Sequence, residues 1–520
     1  MQACDCAAPS SFMNRLSLPY RSLLPDDPRR RRAVRRARIG VYILVAVALI
    51  APILQFQHST VERLNRIEGK RHKGALARWQ PAVRGFWAGH NIYAKEETAP
   101  HRLHPNMPFV VILLTPLTAL PAAQMGLALN IAKLAAIVAS ILMLASLAAH
   151  HRQKVYDWVL ALGFGWVYLS ILSDVQHGNT NVFVMFLVVL HLWLYRRGSD
   201  LGAGAALAAA ICLKMTPALF VLYWLYQRNW RLVAYTAAAG VVFVVGVPAA
   251  VVGVDRYVLL MRTWLNNLII PGLVRGAWYP IHVNQSLSGM VSRLFLGGAE
   301  GDAFYNPDDY LHYGDQPMSG YVTVAALSAN TVRWMLRAGQ VAIVGLMAWG
   351  IGWRRLARDD GRRLLHFGIV TLGMMLLNQR TWTHHGTVLL VAAVALWQAI
   401  GFGLMSRRVR ACCLWAMLGV LAITWTTASD IFRLYARLTG DAERFGELTI
   451  NVEKLHRNIK PETMEFGELW ADVADAYGPQ FWCFAAMLAV SIILARILRK
   501  GDSPYAAERQ KLSAAIPPAR

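Results

Sequence analysis

Ile211-Cys212-Leu213-Lys214-Met215-Thr216-Pro217 joins two apolar runs, 201–213 and 215–226, each shorter than the ~20 residues needed to cross the hydrocarbon core of a bilayer. A charge at bilayer depth costs roughly 2.5–3.5 kcal/mol on insertion scales and is retained where it faces a cavity or an anion. Lys214 therefore marks a candidate intramembrane site, the alternative being a lysine that snorkels to the headgroups. Basic residues flank the pair at Arg196-Arg197 and at Arg228 and Arg231, so the two runs are expected to go out and return together.

Outward from this hairpin the chain is a ladder of apolar segments, at 40–56, 124–149, 155–173, 182–195, 233–252, 335–353, 364–377, 386–405, 411–428 and 481–498. With 56% hydrophobic residues among 520, the expected fold is an all-α polytopic integral membrane protein, a bundle of about 12 transmembrane helices; a soluble enzyme is excluded. The stretch 108–120 is apolar but too short to span and carries Pro108 and Pro116, so it is expected to be re-entrant or interfacial.

The net charge of +23 is arranged for a membrane rather than for nucleic acid. Eight arginines lie between Arg21 and Arg38, and further basic groups recur at alternate loop ends, including 151–154, 354–363, 407–410 and 496–500. By the positive-inside rule, 1–38 is a cytoplasmic basic tail, 39–500 the transmembrane domain and 501–520 a second cytoplasmic tail, in a multi-pass protein of the cell inner membrane. The first 28 residues lack an apolar core, so 40–56 is read as an anchor rather than a cleavable leader. External loops are expected at about 57–123, 255–332 and 429–478, carrying interfacial helices, with Trp79, Trp87 and Tyr93 as interfacial anchors. Of the six cysteines four lie in apolar spans, and Cys4 and Cys6 have no second ligand pair, so neither a disulfide nor a metal site is expected, and no cofactor.

Under this topology the unusual polar residues converge on one side. Asp174, His177, Asn179 and Asn181 form one external turn, Asn284 and Gln285 lie in the long external region, and Arg380, His384 and His385 occupy another outer turn. Each alone has an ordinary reading as turn chemistry or as an interfacial cap. Together with Lys214 they describe a basic pocket suited to the phosphate of an anionic lipid, which charge-assisted hydrogen bonds would hold and neutralise as a leaving group. Glycosyl transfer from a lipid-linked sugar needs such a pocket. A transporter or flippase of an anionic lipid or metabolite is the alternative that a broken helix and a buried lysine also fit.

Six short motifs occur in order over about residues 75–400: Gly89-His90-Asn91-Ile92-Tyr93, His104-Pro105-Asn106-Met107-Pro108, Gly178-Asn179-Thr180-Asn181, Lys214-Met215-Thr216-Pro217, Asn284-Gln285-Ser286-Leu287 and Trp382-Thr383-His384-His385. In this the chain resembles glycosyltransferase family 87, within the GT-C superfamily of polytopic enzymes that use polyprenyl-phosphate sugars. The resemblance implies a GT-C-like bundle and an inverting transfer, of mannose, from a polyprenyl-phosphate donor to a lipid or glycan acceptor on the periplasmic side. Lys214, Asn179, Asn181, Asn284, Gln285, Arg380 and His104 would then bind substrate, with His384 and His385 at the reacting phosphate. Mannosyltransferases of the group carry an aspartate shortly before the Gly…Tyr element, whereas 75–79 holds no acid here. Glu68 is the nearest upstream carboxylate and the candidate base, with Asp174 as second choice; an inactive relative that binds lipid-linked sugar is the alternative this departure leaves.

Overall fold

The computed structural model describes scattered positions within 40–54, then residues 75–94, 106–148, 157–270, 283–296, 324–403, 405–427 and 477–498. The candidates Glu68 and His104 lie outside the described residues.

Among those residues the chain is helical, with one isolated backbone bridge between Leu296 and Leu327. The helices are α1 (Ala75–Trp87), α2 (Pro108–Thr118), α3 (Ala122–Ala148), α4 (Asp157–His177), α5 (Asn181–Arg196), α6 (Asp200–Leu213), α7 (Leu219–Tyr226), α8 (Trp230–Val252, with a π turn at Val242–Gly246), α9 (Val254–Trp264), α10 (Leu287–Phe295), α11 (Ala329–Ile351), α12 (Arg362–Leu377), α13 (Leu390–Phe402), α14 (Arg407–Thr426) and α15 (Pro479–Leu498). Among the described residues seven helical stretches are long and apolar enough to cross a membrane, while α2, α5, α6 and the Thr216–Tyr226 stretch are apolar but shorter. Every span expected from residue 124 onward coincides with a helix.

Burial sorts the helices into layers. The apolar stretch of Thr383–Gly401, which holds nearly all of α13, is 89% buried, whereas those of α8 and α14 are 11% and 17% buried, so α13 lies inside the bundle and the other two on its surface. Close packing at small residues holds the layers together. A Cβ on Gly163 of α4 would stand 2.7 Å from Val394 of α13, and one on Gly204 of α6 would stand 2.8 Å from the backbone of α8. Such contacts let helices approach where lipid supplies no hydrophobic drive between them.

The hairpin of α6 and α7 follows from its sequence. Pro217 has no N–H to offer the carbonyl four residues back, and Lys214 turns to an extended conformation (φ −160°, ψ 130°) at the end of α6. A three-residue 3₁₀ turn, Thr216–Ala218, then starts α7. Both bases of the hairpin meet the α11–α12 connection: Arg358 binds the Asp200 carboxylate at 2.7 Å, and Gln227 donates to the Gly352 carbonyl and accepts from the Leu356 N–H. The Asp200 hydrogen bond also raises the pKa of Arg358. Both arms therefore start and end at the same end of the bundle. Its 14-residue first arm rises about 21 Å, less than the ~30 Å hydrocarbon core. His191 of α5 binds both arms at once, Nδ1 to the Ala203 carbonyl and Nε2 accepting from the Trp224 indole, each at 2.8 Å.

The structure corrects the reading of two aromatic anchors. Trp79 and Tyr93 are buried and only Trp87 is exposed. The Tyr93 hydroxyl donates to the Asn106 carbonyl, and Asn267, beyond α9, donates to the Tyr93 carbonyl, so Asn91, Ile92 and Tyr93 are packed into the protein while Gly89 and His90 are exposed.

Candidate active site

Lys214 lines a cleft at the tip of the hairpin. The cleft is lined by Asn181 and Val184 of α5, Lys214 and Thr216, Met374 and Met375 of α12, Asn378, and His385, Thr387 and Val388 of the 3₁₀ turn before α13. Residues from four separate parts of the sequence thus meet at one end of the bundle.

The α4–α5 turn supplies the first wall. Gly178 adopts φ +62°, a conformation easiest for glycine, and the Asn179 N–H closes the turn on the Asp174 carbonyl. Asp174 is fully buried, and its Oδ1 accepts from the Asn181 backbone N–H at 3.1 Å and from Asn181 Nδ2 at 2.9 Å. Asn181 Oδ1 in turn accepts from Lys214 Nζ at 2.7 Å. The Asn181 amide is therefore oriented by partners on both sides. One of the three ammonium donors of Lys214 is used in this way, leaving two for a ligand.

The reading from sequence missed Lys133. It lies within α3, wholly buried, with Nζ 2.8 Å from Asp174 Oδ2 and 2.8 Å from the Asp174 carbonyl oxygen. The rule that singled out Lys214, a charge inside an apolar run, applies equally to Lys133.

The second wall is the α12–α13 connection. Asn284 holds it from a distance: Nδ2 donates to the Gln379 carbonyl and Oδ1 accepts from the Thr381 N–H, both at 2.9 Å. The Gln285 N–H adds a 2.7 Å bond to the Thr381 carbonyl, and Ser286 Oγ donates to Gln379 as well. Asn284 and Gln285, expected at the substrate, thus fasten the segment that carries Arg380 and leads into the two histidines. His385 Nδ1 accepts from the Trp382 N–H at 3.2 Å, and the ring also hydrogen-bonds the Arg380 backbone. The His384 ring lies edge-on to His385, centroids 4.6 Å apart, and 5.5 Å from that of His177 on α4. Thr387 Oγ1 donates to the Asn181 carbonyl and joins the two walls.

Of the residues expected at the site, Asn181, Lys214 and His385 line the cleft, with Asp174 bound to Asn181 and His384 beside His385, whereas Asn179 and Arg380 are not among its lining residues and Asn284 and Gln285 stand behind the second wall. Cationic and imidazole groups outnumber the single described carboxylate of this cluster, Asp174, which already faces Lys133. Such a cleft is suited to an anion. Among the described residues no group of three His, Cys, Asp or Glu is arranged to hold a metal ion.

Comparison with known proteins agrees with this chemistry. The chain is 24% identical over 303 residues to a polyprenol-phosphate-mannose-dependent alpha-(1-2)-phosphatidylinositol mannoside mannosyltransferase of Mycobacterium tuberculosis, covering 53% of this chain and 65% of that protein. It is 24% identical over 288 residues to the protein of the same description from Mycolicibacterium smegmatis, covering 52% of this chain and 55% of that protein. The chain therefore spans less than two-thirds of the length of either relative. No solved structure matches it. The model of Glycosyltransferase family 87 matches residues 106–378, more than half of the chain and the region that contains Lys133, Asp174, Asn181, Lys214 and Asn284, and the chain belongs to that family.

Proposed function

We propose that the chain is a membrane glycosyltransferase that moves mannose from a polyprenyl-phosphate donor to a hydroxyl of a lipid or glycan acceptor. The observation that carries the proposal is that Lys214 and His385 line one cleft at the tip of a hairpin whose arms are too short to span a bilayer. There a lipid-borne phosphate can meet cationic donors without leaving the bilayer. The two curated relatives are described as polyprenol-phosphate-mannose-dependent mannosyltransferases, which supports the donor class.

The chemistry follows from the charges. The acceptor oxygen attacks the anomeric carbon as the bond from that carbon to the phosphate oxygen breaks, inverting the centre. The donor phosphodiester carries one negative charge and leaves as a polyprenyl phosphate monoester with more. Donors placed where that charge develops, the Lys214 ammonium and the His385 imidazole, stabilise the transition state over the ground state. The phosphate needs no general acid, while the acceptor hydroxyl gives its proton to a base. Both oxygens of Asp174 are engaged, one by Lys133 and one by Asn181, which favours Glu68 for that role.

The Lys214 end is assigned to the periplasmic side and both termini to the cytoplasm. This assignment is supported by the arginines Arg196, Arg197, Arg228, Arg231, Arg354, Arg355 and Arg358 at the opposite end of the bundle. Purified protein incubated with radiolabelled polyprenyl-phosphate-mannose and a membrane lipid extract is expected to yield labelled mannolipid and free polyprenyl phosphate. Intact donor after prolonged incubation, with the protein folded, would refute the proposal.

A further inference from the structure

We infer that Lys133 is a positioning residue for lipid-phosphate binding: acting through Asp174 and Asn181, it fixes where Lys214 presents its ammonium. The inference rests on the reading of the cleft given above and adds to it a group that never meets the substrate.

Four side chains form an unbroken polar chain through the bundle. Lys133 on α3 pairs with Asp174 on α4, Asp174 binds Asn181 at the start of α5, and Asn181 binds Lys214 at the tip of the hairpin. An isolated lysine or aspartate at these buried positions would be costly, and the pair is tolerated because each charge meets the other. Its polarity then passes along the chain. A carboxylate oxygen accepts but cannot donate, so Asn181 must turn its NH₂ to Asp174, and its carbonyl oxygen is thereby presented to Lys214. With the amide reversed, its oxygen would face the carboxylate and its NH₂ the ammonium, giving two repulsive contacts. The second bond to Asp174, from the Asn181 backbone N–H, removes the remaining freedom of the turn.

The arrangement separates two tasks that one lysine could not perform together. Lys214 must be directed yet keep donors free for an anion, and a direct carboxylate partner would compete with phosphate for its charge. A neutral amide between Asp174 and Lys214 directs the ammonium without neutralising it.

A double-mutant cycle on lipid-phosphate affinity tests this. The neutral pair Lys133→Met with Asp174→Asn removes both charges together and avoids leaving one buried alone. Binding of a short-chain polyprenyl monophosphate in detergent, followed by tryptophan fluorescence, is measured for this pair in the parental chain and in an Asn181→Leu background. The pair is expected to weaken binding about 10-fold in the parental chain and by less than about twofold where Asn181 is already lost. Equal losses in both backgrounds, or no loss in the parental chain, overturn the inference, and absence of lipid-phosphate binding by the parental chain overturns it together with the transferase proposal. Sugar transfer assayed in parallel separates the two: a coupled cycle without mannose transfer rejects the transferase reading alone, and transfer with an uncoupled cycle rejects the Lys133 relay alone.

Discussion

Lys214 Nζ and Asn181 Oδ1 lie 2.7 Å apart although the residues are 33 positions apart in the chain, one closing a half-length helix and the other opening α5. Removing the Asn181 carbonyl leaves Lys214 charged but undirected. Asn181→Leu is therefore expected to raise the donor KM by about 10–100-fold, the range of a hydrogen bond to a charged group, with a smaller change in kcat. A fall in kcat at unchanged KM would place Asn181 at the reacting centre instead.

His385 is expected to act on the leaving phosphate, because it lines the same cleft as Lys214. His385→Ala should lower turnover by about 10²–10³-fold, as for other donors that strengthen in a transition state. Steady-state rates at saturating donor check this, and a near-parental rate would return His385 to a packing role.

Asn284 is expected to act on stability more than on substrate affinity, because both ends of its amide hold the Gln379–Thr381 segment. Asn284→Ala leaves a buried carbonyl and a buried N–H without that partner, at about 1–3 kcal/mol each. Thermal unfolding in detergent should show a lowered Tm. A parental Tm with a raised donor KM would place the side chain on the substrate.

Much of this architecture was legible because a bilayer imposes a length and a polarity on every span. The hairpin could be read from two apolar runs that were each too short, separated by a lysine and followed by Pro217, and the structure shows both bases meeting the Gly352–Arg363 region. Lys133 carries the same signal as Lys214, a charge inside an apolar run, but its pairing is not legible in the sequence, because Asp174 is 41 positions away and the contact exists only once α3 and α4 are packed. Local sequence does not reveal that the Asn284 side chain is bound by backbone 95 residues away. Trp79 and Tyr93 were read as interfacial because amphipathic aromatics favour that layer, yet both are covered by other parts of the fold.

Orientation can be tested at two exposed positions at opposite ends of the bundle, Gln176 and Arg354. A cysteine placed at 176 should react with an impermeant maleimide in intact spheroplasts, and one at 354 only after permeabilisation. The reverse pattern would put the cleft on the cytoplasmic side.

The central claim is that the cleft at Lys214 binds a lipid-borne phosphate, and donor affinity measures it most directly. Equilibrium binding of polyprenyl-phosphate-mannose to the parental chain and to Lys214→Met should show a loss of about 10-fold or more, with Tm unchanged, because the variant keeps the length of the side chain and removes its charge. Equal affinity in the two folded proteins would contradict the account and leave Lys214 a lysine that reaches for the headgroups.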